Sequence, residues 1–137
     1  MPGTCVICDR GAPLDVIAEY PASWVTASEQ APLPGYVCVV SKTHVVEPFE
    51  LAEPQRSAFW EECMAVAAAL KRLLDVPKLN YEIHGNTIPH LHMHIYPRYP
   101  GDPYEGRPID GSGKFCRTPA ELQRIAEALV EVEHGAL

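Results

Sequence analysis

Apolar and polar residues alternate strictly from His90 to Pro97: His90-Leu91-His92-Met93-His94-Ile95-Tyr96-Pro97. A period of two is the signature of a β-strand, whose successive side chains point to opposite faces. Leu91, Met93 and Ile95 are then predicted to face a core, with His90, His92 and His94 on the other side. Residues 14–20 and 23–27 predict two short strands around Pro21. Tyr36 to Ser41 is a β-branched run that predicts a buried strand after the Pro32-Leu33-Pro34-Gly35 turn. The period then changes. From about Pro54, Phe59, Cys63, Val66, Leu70, Leu73 and Leu74 recur at helical spacing and give one apolar stripe. Asp75-Val76-Pro77 ends that helix, and Leu79 to Ile83 predicts another strand before the Gly85-Asn86 break. Residues 100–117, rich in Pro and Gly, read as a loop. Thr118-Pro119-Ala120-Glu121 has the spacing of a capping box with proline at the first helical position. Leu122, Ile125, Ala126, Leu129 and Val130 supply the stripe of a last helix. Strands, a long helix, strands and a C-terminal helix joined by short turns predict an α+β fold, an antiparallel sheet carrying helices.

Composition narrows the function classes. The 137 residues, 47% hydrophobic and 21% charged, fit one soluble domain spanning 1–137. Within it, 5–100 forms the core, 101–117 a loop and 118–134 the C-terminal helix. No stretch approaches the roughly 18 apolar residues of a membrane span, and no basic segment followed by an apolar run marks a signal peptide. The expected location is cytoplasmic, with no membrane partner. A net charge of −7 opposes nucleic-acid binding, which needs a basic surface. It leaves room for a small anion in a locally basic pocket. Five cysteines without a secretion signal do not suggest a disulfide framework. Cys38 and Cys63 read as small core residues. Cys5 and Cys8 have Cys-x-x-Cys spacing, and no helix pattern follows them as a thioredoxin-like motif would require.

Three imidazoles at alternate positions point to chemistry, because histidine titrates near neutral pH, attacks electrophiles and binds metals. Two readings stand at this point. One is a metal site built from two or three imidazoles. The other is nucleophilic catalysis by the central imidazole. Gly85-Asn86-Thr87-Ile88-Pro89 leads into the trio, and a glycine turn with amide and hydroxyl groups can offer donors to an anion. Arg98, Lys42 and His44 add positive charge nearby. A histidine-lined basic pocket in an acidic protein suits a small phosphate ester better than a polymer.

At these residues the chain resembles the histidine triad (HIT) family of nucleotide hydrolases and transferases, whose motif is His-φ-His-φ-His-φ with φ apolar. The likeness extends to Pro34-Gly35 and the strand ending in Lys42-Thr43-His44, to Leu79-Asn80-Tyr81-Glu82, to Gly85-Asn86, and to Cys5-Val6-Ile7-Cys8, which is similar to the pair in the zinc-bearing, bacterial-type members. It covers roughly residues 5–100. The resemblance implies a five-stranded antiparallel sheet and a homodimer in which two sheets become continuous. It implies attack on the α-phosphorus of a small-molecule nucleotide by His92, with a nucleotidyl-imidazole intermediate and His94 at the phosphate side. Asn80, Asn86 and Thr87 would lie near the substrate. Dinucleoside polyphosphates, nucleoside phosphoramidates, adenylyl sulfate and sugar nucleotides all offer such a phosphorus. Water, phosphate or a sugar phosphate as acceptor would make the enzyme a hydrolase, phosphorylase or transferase. The resemblance also implies a structural zinc held by Cys5, Cys8, His44 and His90. The chain departs from the family at two places. Tyr36 stands where many members have His, and Ser28, followed by Glu29, falls nearest the usual acidic ribose ligand. Two other readings remain: a metal-dependent enzyme with all three histidines on one ion, and a nucleotide-binding module with little turnover.

Overall fold

The computed structural model describes residues 5–110 and 114–132. In chain order its elements are α1 (Val6–Arg10), β1 (Val16–Glu19), β2 (Ser23–Thr26), β3 (Gln30–Ala31), β4 (Val37–Ser41), α2 (Gln55–Leu74), β5 (Lys78–Ile83), β6 (His92–Arg98), β7 (Phe115–Cys116) and α3 (Pro119–Glu131). Five strands form one antiparallel sheet in the order β1-β2-β4-β6-β5. The fold is therefore α+β, as the two periods predict. Residues 133 and 134 of the expected last helix lie outside the described residues.

The sheet has two unlike faces. Val25, Val37, Val39, Met93 and Ile95 point to one face and join Phe59, Cys63, Val66 and Leu70 of α2 and Ile125 and Leu129 of α3 in the main core. Two features fix α2 on this face. Its last turn ends at Asp75, in the left-handed region at φ 51°. The buried carboxylate of Glu62 accepts from Ser23 Oγ at 2.6 Å and from the Ala22 amide at 3.1–3.2 Å, which ties the helix to the β1–β2 turn. The Gly35 turn sits tightly under the same helix. At φ +84°, a Cβ there would run into Leu74 and lie 3.1 Å from Pro97, so both backbone conformation and space call for glycine.

The opposite face carries Tyr36, Cys38 and Val40 beside His94 and His92. A smaller cluster of Cys5, Ile7, Cys38 and Val40 packs there, with Trp24, Tyr36 and Ile88 against it. The structure differs from the sequence reading at three places. The triad strand begins at His92, and His90 stands before it. Residues 6–10 form a one-turn helix, α1, capped by the Cys5 side chain, which accepts from the Cys8 amide, and closed by Gly11 at φ 90°. The 101–117 segment is not wholly loop, because Phe115-Cys116 pair with Gln30-Ala31. Buried Arg117 holds that pairing in place, donating to the carbonyls of Ser28 and Tyr36 at 2.5–2.9 Å. α3 opens with the expected reciprocal Thr118–Glu121 capping box, while Val130 is exposed and Val132 takes the buried place.

Candidate active site and metal shell

Antiparallel pairing of β4 with β6 sets Cys38 opposite His94 and Val40 opposite His92. These residues line a cleft of about 340 Å³ with Val6, Ile7, Arg10, Pro13, Leu14, Thr26, Tyr36 and Ile88. α1 forms one wall, so the amino-terminal segment completes the cleft.

The two triad histidines are held in complementary states. His92 Nδ1–H donates to the His90 carbonyl at 2.6 Å, which leaves the Nε2 lone pair free. His94 Nδ1 lies 2.7 Å from the hydroxyl of Tyr36, whose ring stacks on those of His94 and Tyr96. Burial pushes the Tyr36 phenol well above its usual range, so it keeps its proton. Donation of that proton to Nδ1 would place the His94 proton on Nε2. Burial, and behind it the neighbouring His92 and His84, lowers the His94 pKa to about 4. The two imidazoles lie side by side, with ring centroids 4.9 Å apart.

His90 belongs to a different cluster. Its Nε2–H donates to the Ser41 carbonyl at 2.7 Å, so Nδ1 carries a lone pair. That nitrogen lies 3.4 Å from Cys5 Sγ, 3.7 Å from Cys8 Sγ and 3.0 Å from His44 Nδ1, and Cys8 Sγ is 3.3 Å from His44 Nδ1. Tetrahedral bonds of ~2.3 Å to sulfur and ~2.0–2.1 Å to nitrogen give ligand–ligand edges of about 3.3–3.8 Å. The four donors match a tetrahedral metal shell in type and in size. Burial also lowers the His90 pKa, which keeps the ring neutral and able to ligate. With His90 turned into this shell, the three triad histidines do not converge on one ion.

Other predicted site residues are placed differently. Asn86 and Thr87 are exposed on the loop whose Ile88 lines the cleft. Asn80 Oδ1 accepts from Arg98 at 2.8 Å. Arg98 also grips Asp102 at 3.0–3.1 Å and the carbonyls of Tyr104 and Arg107, so it clamps the 99–107 loop. Lys42 pairs with Glu19 at 2.6 Å. The positive charge expected from Arg98 and Lys42 is thus spent on structure, and Arg10 is the cation among the residues lining the cleft. Neither Ser28 nor Glu29 is among those residues. Ser28 Oγ donates to the Gln30 carbonyl at 2.7 Å. Sequence reasoning singled out neither Tyr36 nor Arg10 as a site residue. Tyr36 carried a signal, since it stands at a position where the family often has histidine. Arg10 carried none.

A family model described as "HIT domain" matches residues 10–101. The chain belongs to the HIT domain family. This is a superfamily of nucleotide-binding proteins and hydrolases. The chain is 28% identical over 95 residues to a bifunctional bis(5'-adenosyl)-triphosphatase/adenylylsulfatase of Arabidopsis thaliana, a match covering 66% of this chain and 53% of that protein. The chain therefore spans about half the length of this curated relative. Among solved structures, a histidine triad protein from Bradyrhizobium japonicum superposes with a TM-score of 0.77 at 30% identity, covering 86% of this chain and 89% of that one. A Zn-bound histidine triad family protein from Mycobacterium smegmatis shares the HIT fold, with a TM-score of 0.69 at 22% identity and coverage of 94% and 95%.

The Tyr36–His94 pair is testable by nitrogen NMR of the imidazoles. His94 is expected to titrate near pH 4 as the Nε2–H tautomer. In Tyr36→Phe, which deletes one hydrogen bond worth roughly 1 kcal/mol, both tautomers should appear. An unchanged spectrum in the variant would remove Tyr36 from this role.

Proposed function

We propose that this HIT protein cleaves nucleotides at the α-phosphorus through a nucleotidyl intermediate on His92. The observation that carries this reading is the Nε2 of His92, left free by the Nδ1–H bond to the His90 carbonyl, in one cleft with His94, whose Nδ1 lies 2.7 Å from the Tyr36 hydroxyl. In the first step the His92 Nε2 pair forms a bond to phosphorus as the bond to the leaving group breaks, its electrons departing with that group. The imidazolium so formed keeps its Nδ1 proton on the His90 carbonyl, which holds the ring in line. His94 donates from Nε2 to a phosphoryl or leaving-group oxygen as charge grows there. In the second step water attacks the same phosphorus, the N–P bond breaks, its electron pair returns to Nε2, and the water's proton passes to solvent.

A neutral His94 can donate a hydrogen bond but has no spare proton to give away. Leaving groups that depart as stable anions, such as phosphate or sulfate chains, fit this better than amines, which need protonation. The reading therefore favours phosphoric anhydride and mixed-anhydride nucleotides over phosphoramidates. Thr26 and Arg10 are the polar groups placed to meet the nucleoside and its phosphates, and Asn86 and Thr87 meet them if the loop folds inward.

We infer further that zinc fills the Cys5–Cys8–His44–His90 shell and staples α1 to the sheet. The exposed apolar side chains Phe49, Trp60, Tyr81 and Ile83 flank the edge strand β5 and support a homodimer formed there, with the two sheets continuous.

Three outcomes are expected. Incubation with bis(5'-adenosyl) triphosphate and rapid acid quench should show, by intact mass, an adenylylated chain that is absent from His92→Gly. Nucleotide binding by that variant should persist; full turnover in it would overturn the nucleophile assignment. Elemental analysis should give about one zinc per chain, the stoichiometry of a closed four-ligand site, and chelation should make Cys5 and Cys8 open to alkylation. Sedimentation should give a dimer, and Trp60→Glu should shift it to monomer.

A further inference from the structure

A second set of metal-ligating side chains lies outside the four-residue shell. Cys38, His92 and His94 each offer a ligand atom, and these atoms all lie within 4.8 Å of one another. The grouping follows from the sheet register, because Cys38 and His94 are directly opposed on neighbouring strands and His92 is two residues from His94 on the same face. All three line the cleft. Cys38 is buried at its back, and the two imidazoles are half-buried in front of it.

We propose that this cleft is a second, reversible site for a soft divalent cation such as zinc or cadmium, held by Cys38, His92 and His94 with its fourth position open to the cleft. One thiolate and two imidazoles suit such ions, and three protein ligands with an open position make an accessible site rather than a closed structural one. The cation and the nucleotide then compete, because both need the Nε2 lone pair of His92. This consequence rests on the function proposed above; the metal site itself does not.

The geometry sets the site's rank. Tetrahedral ligation needs ligand edges of about 3.3–3.6 Å here. The shell around His90 brings four donors together, with separations of 3.0–3.7 Å among those nearest His90 and His44, whereas the cleft offers three, all within 4.8 Å of one another. Cys38 must release its thiol proton to solvent. To ligate through Nε2, His94 must move its own proton to Nδ1, where the Tyr36 oxygen accepts it. A phenol hydroxyl both donates and accepts, so this tautomer keeps the Tyr36 contact. Each requirement weakens binding, and the cleft fills only after the shell.

Cadmium-113 NMR of the full chain separates the two sites by their ligands. One equivalent should give a single resonance from the two-cysteine, two-histidine shell. Further cadmium should add a second resonance from a one-cysteine site. Cys38→Ser should keep the first, which also reports that the variant is folded, and lose the second. AMP should suppress only the second. In turnover assays, zinc beyond one equivalent should raise the apparent KM, and Cys38→Ser should shift the inhibition midpoint by at least about tenfold, since even outer partners of a ligand are worth roughly 10–100-fold in metal affinity. A single resonance at excess cadmium, or a second one that survives Cys38→Ser, would overturn the site. If two resonances appear as expected but AMP neither binds metal-saturated nor second-site-free protein, the metal site stands and the nucleotide reading falls.

Discussion

His90 joins the two halves of the site, and the local geometry depends on how it leaves the strand. Its side chain turns toward Cys5, Cys8 and His44, while its backbone carbonyl accepts the Nδ1 proton of His92. The Ser41 carbonyl, at the end of the neighbouring strand, takes the His90 Nε2 proton. A change in the metal shell therefore reaches the His92 ring through a single residue. It also moves α1, which carries Cys8 and forms a wall of the cleft. The four-residue cluster and the cleft are separate groups of side chains joined at His90, whose carbonyl orients the His92 ring.

Electrostatics in the cleft differ from what the sequence suggested. The protein is acidic, and its pocket was expected to be basic. Arg98 and Lys42 are instead neutralised by Asp102 and Glu19. None of the residues lining the cleft is a carboxylate, and Arg10 is their one cation. An anion entering this cleft would meet no carboxylate, and would find Arg10 and the imidazole nitrogens rather than a cluster of lysines and arginines. Such an arrangement is less screened by salt than surface charge is.

Much of the fold was legible because it is periodic. The alternation in 91–95 and the stripe from Phe59 to Leu70 placed the main core correctly, and the Thr118–Glu121 box marked the start of α3. What the sequence hid was short or held together by contacts distant along the chain. α1 is five residues long, too short for a helical period to show, and it is held by its Cys5 cap and by Ile7 against Cys38 and Val40. β7 has two residues, and Arg117 secures it through carbonyls more than 80 positions away. His90 illustrates a third limit. Its place in the alternation is regular, yet it is not a strand residue; its ring turns to the Ser41 carbonyl and to Cys5, Cys8 and His44. The grouping of Cys5, Cys8, His44 and His90 that the resemblance implied is found in space, whereas the partner of His94 was marked in the sequence only as a departure, a tyrosine where the family often has histidine.

The arrangement that suits His92 and His94 to phosphorus also exposes them to metals. Burial disfavours the protonated ring, and the pKa of His94 falls to about 4 in consequence. An imidazole kept free of its second proton retains a lone pair for any electrophile small enough to enter. A phosphoryl group and a soft cation both meet that description. What separates them is the third partner: the phosphoryl group is met by hydrogen-bond donors, the cation by a sulfur. Cys38 lies behind the histidines because register places it opposite His94, on the face that Tyr36 also occupies. A serine or alanine there would leave the two imidazoles as a weak pair for a metal. The thiol turns the same pair into a three-point site, so the residue at the back of the cleft, rather than the triad, decides whether metal can compete with nucleotide.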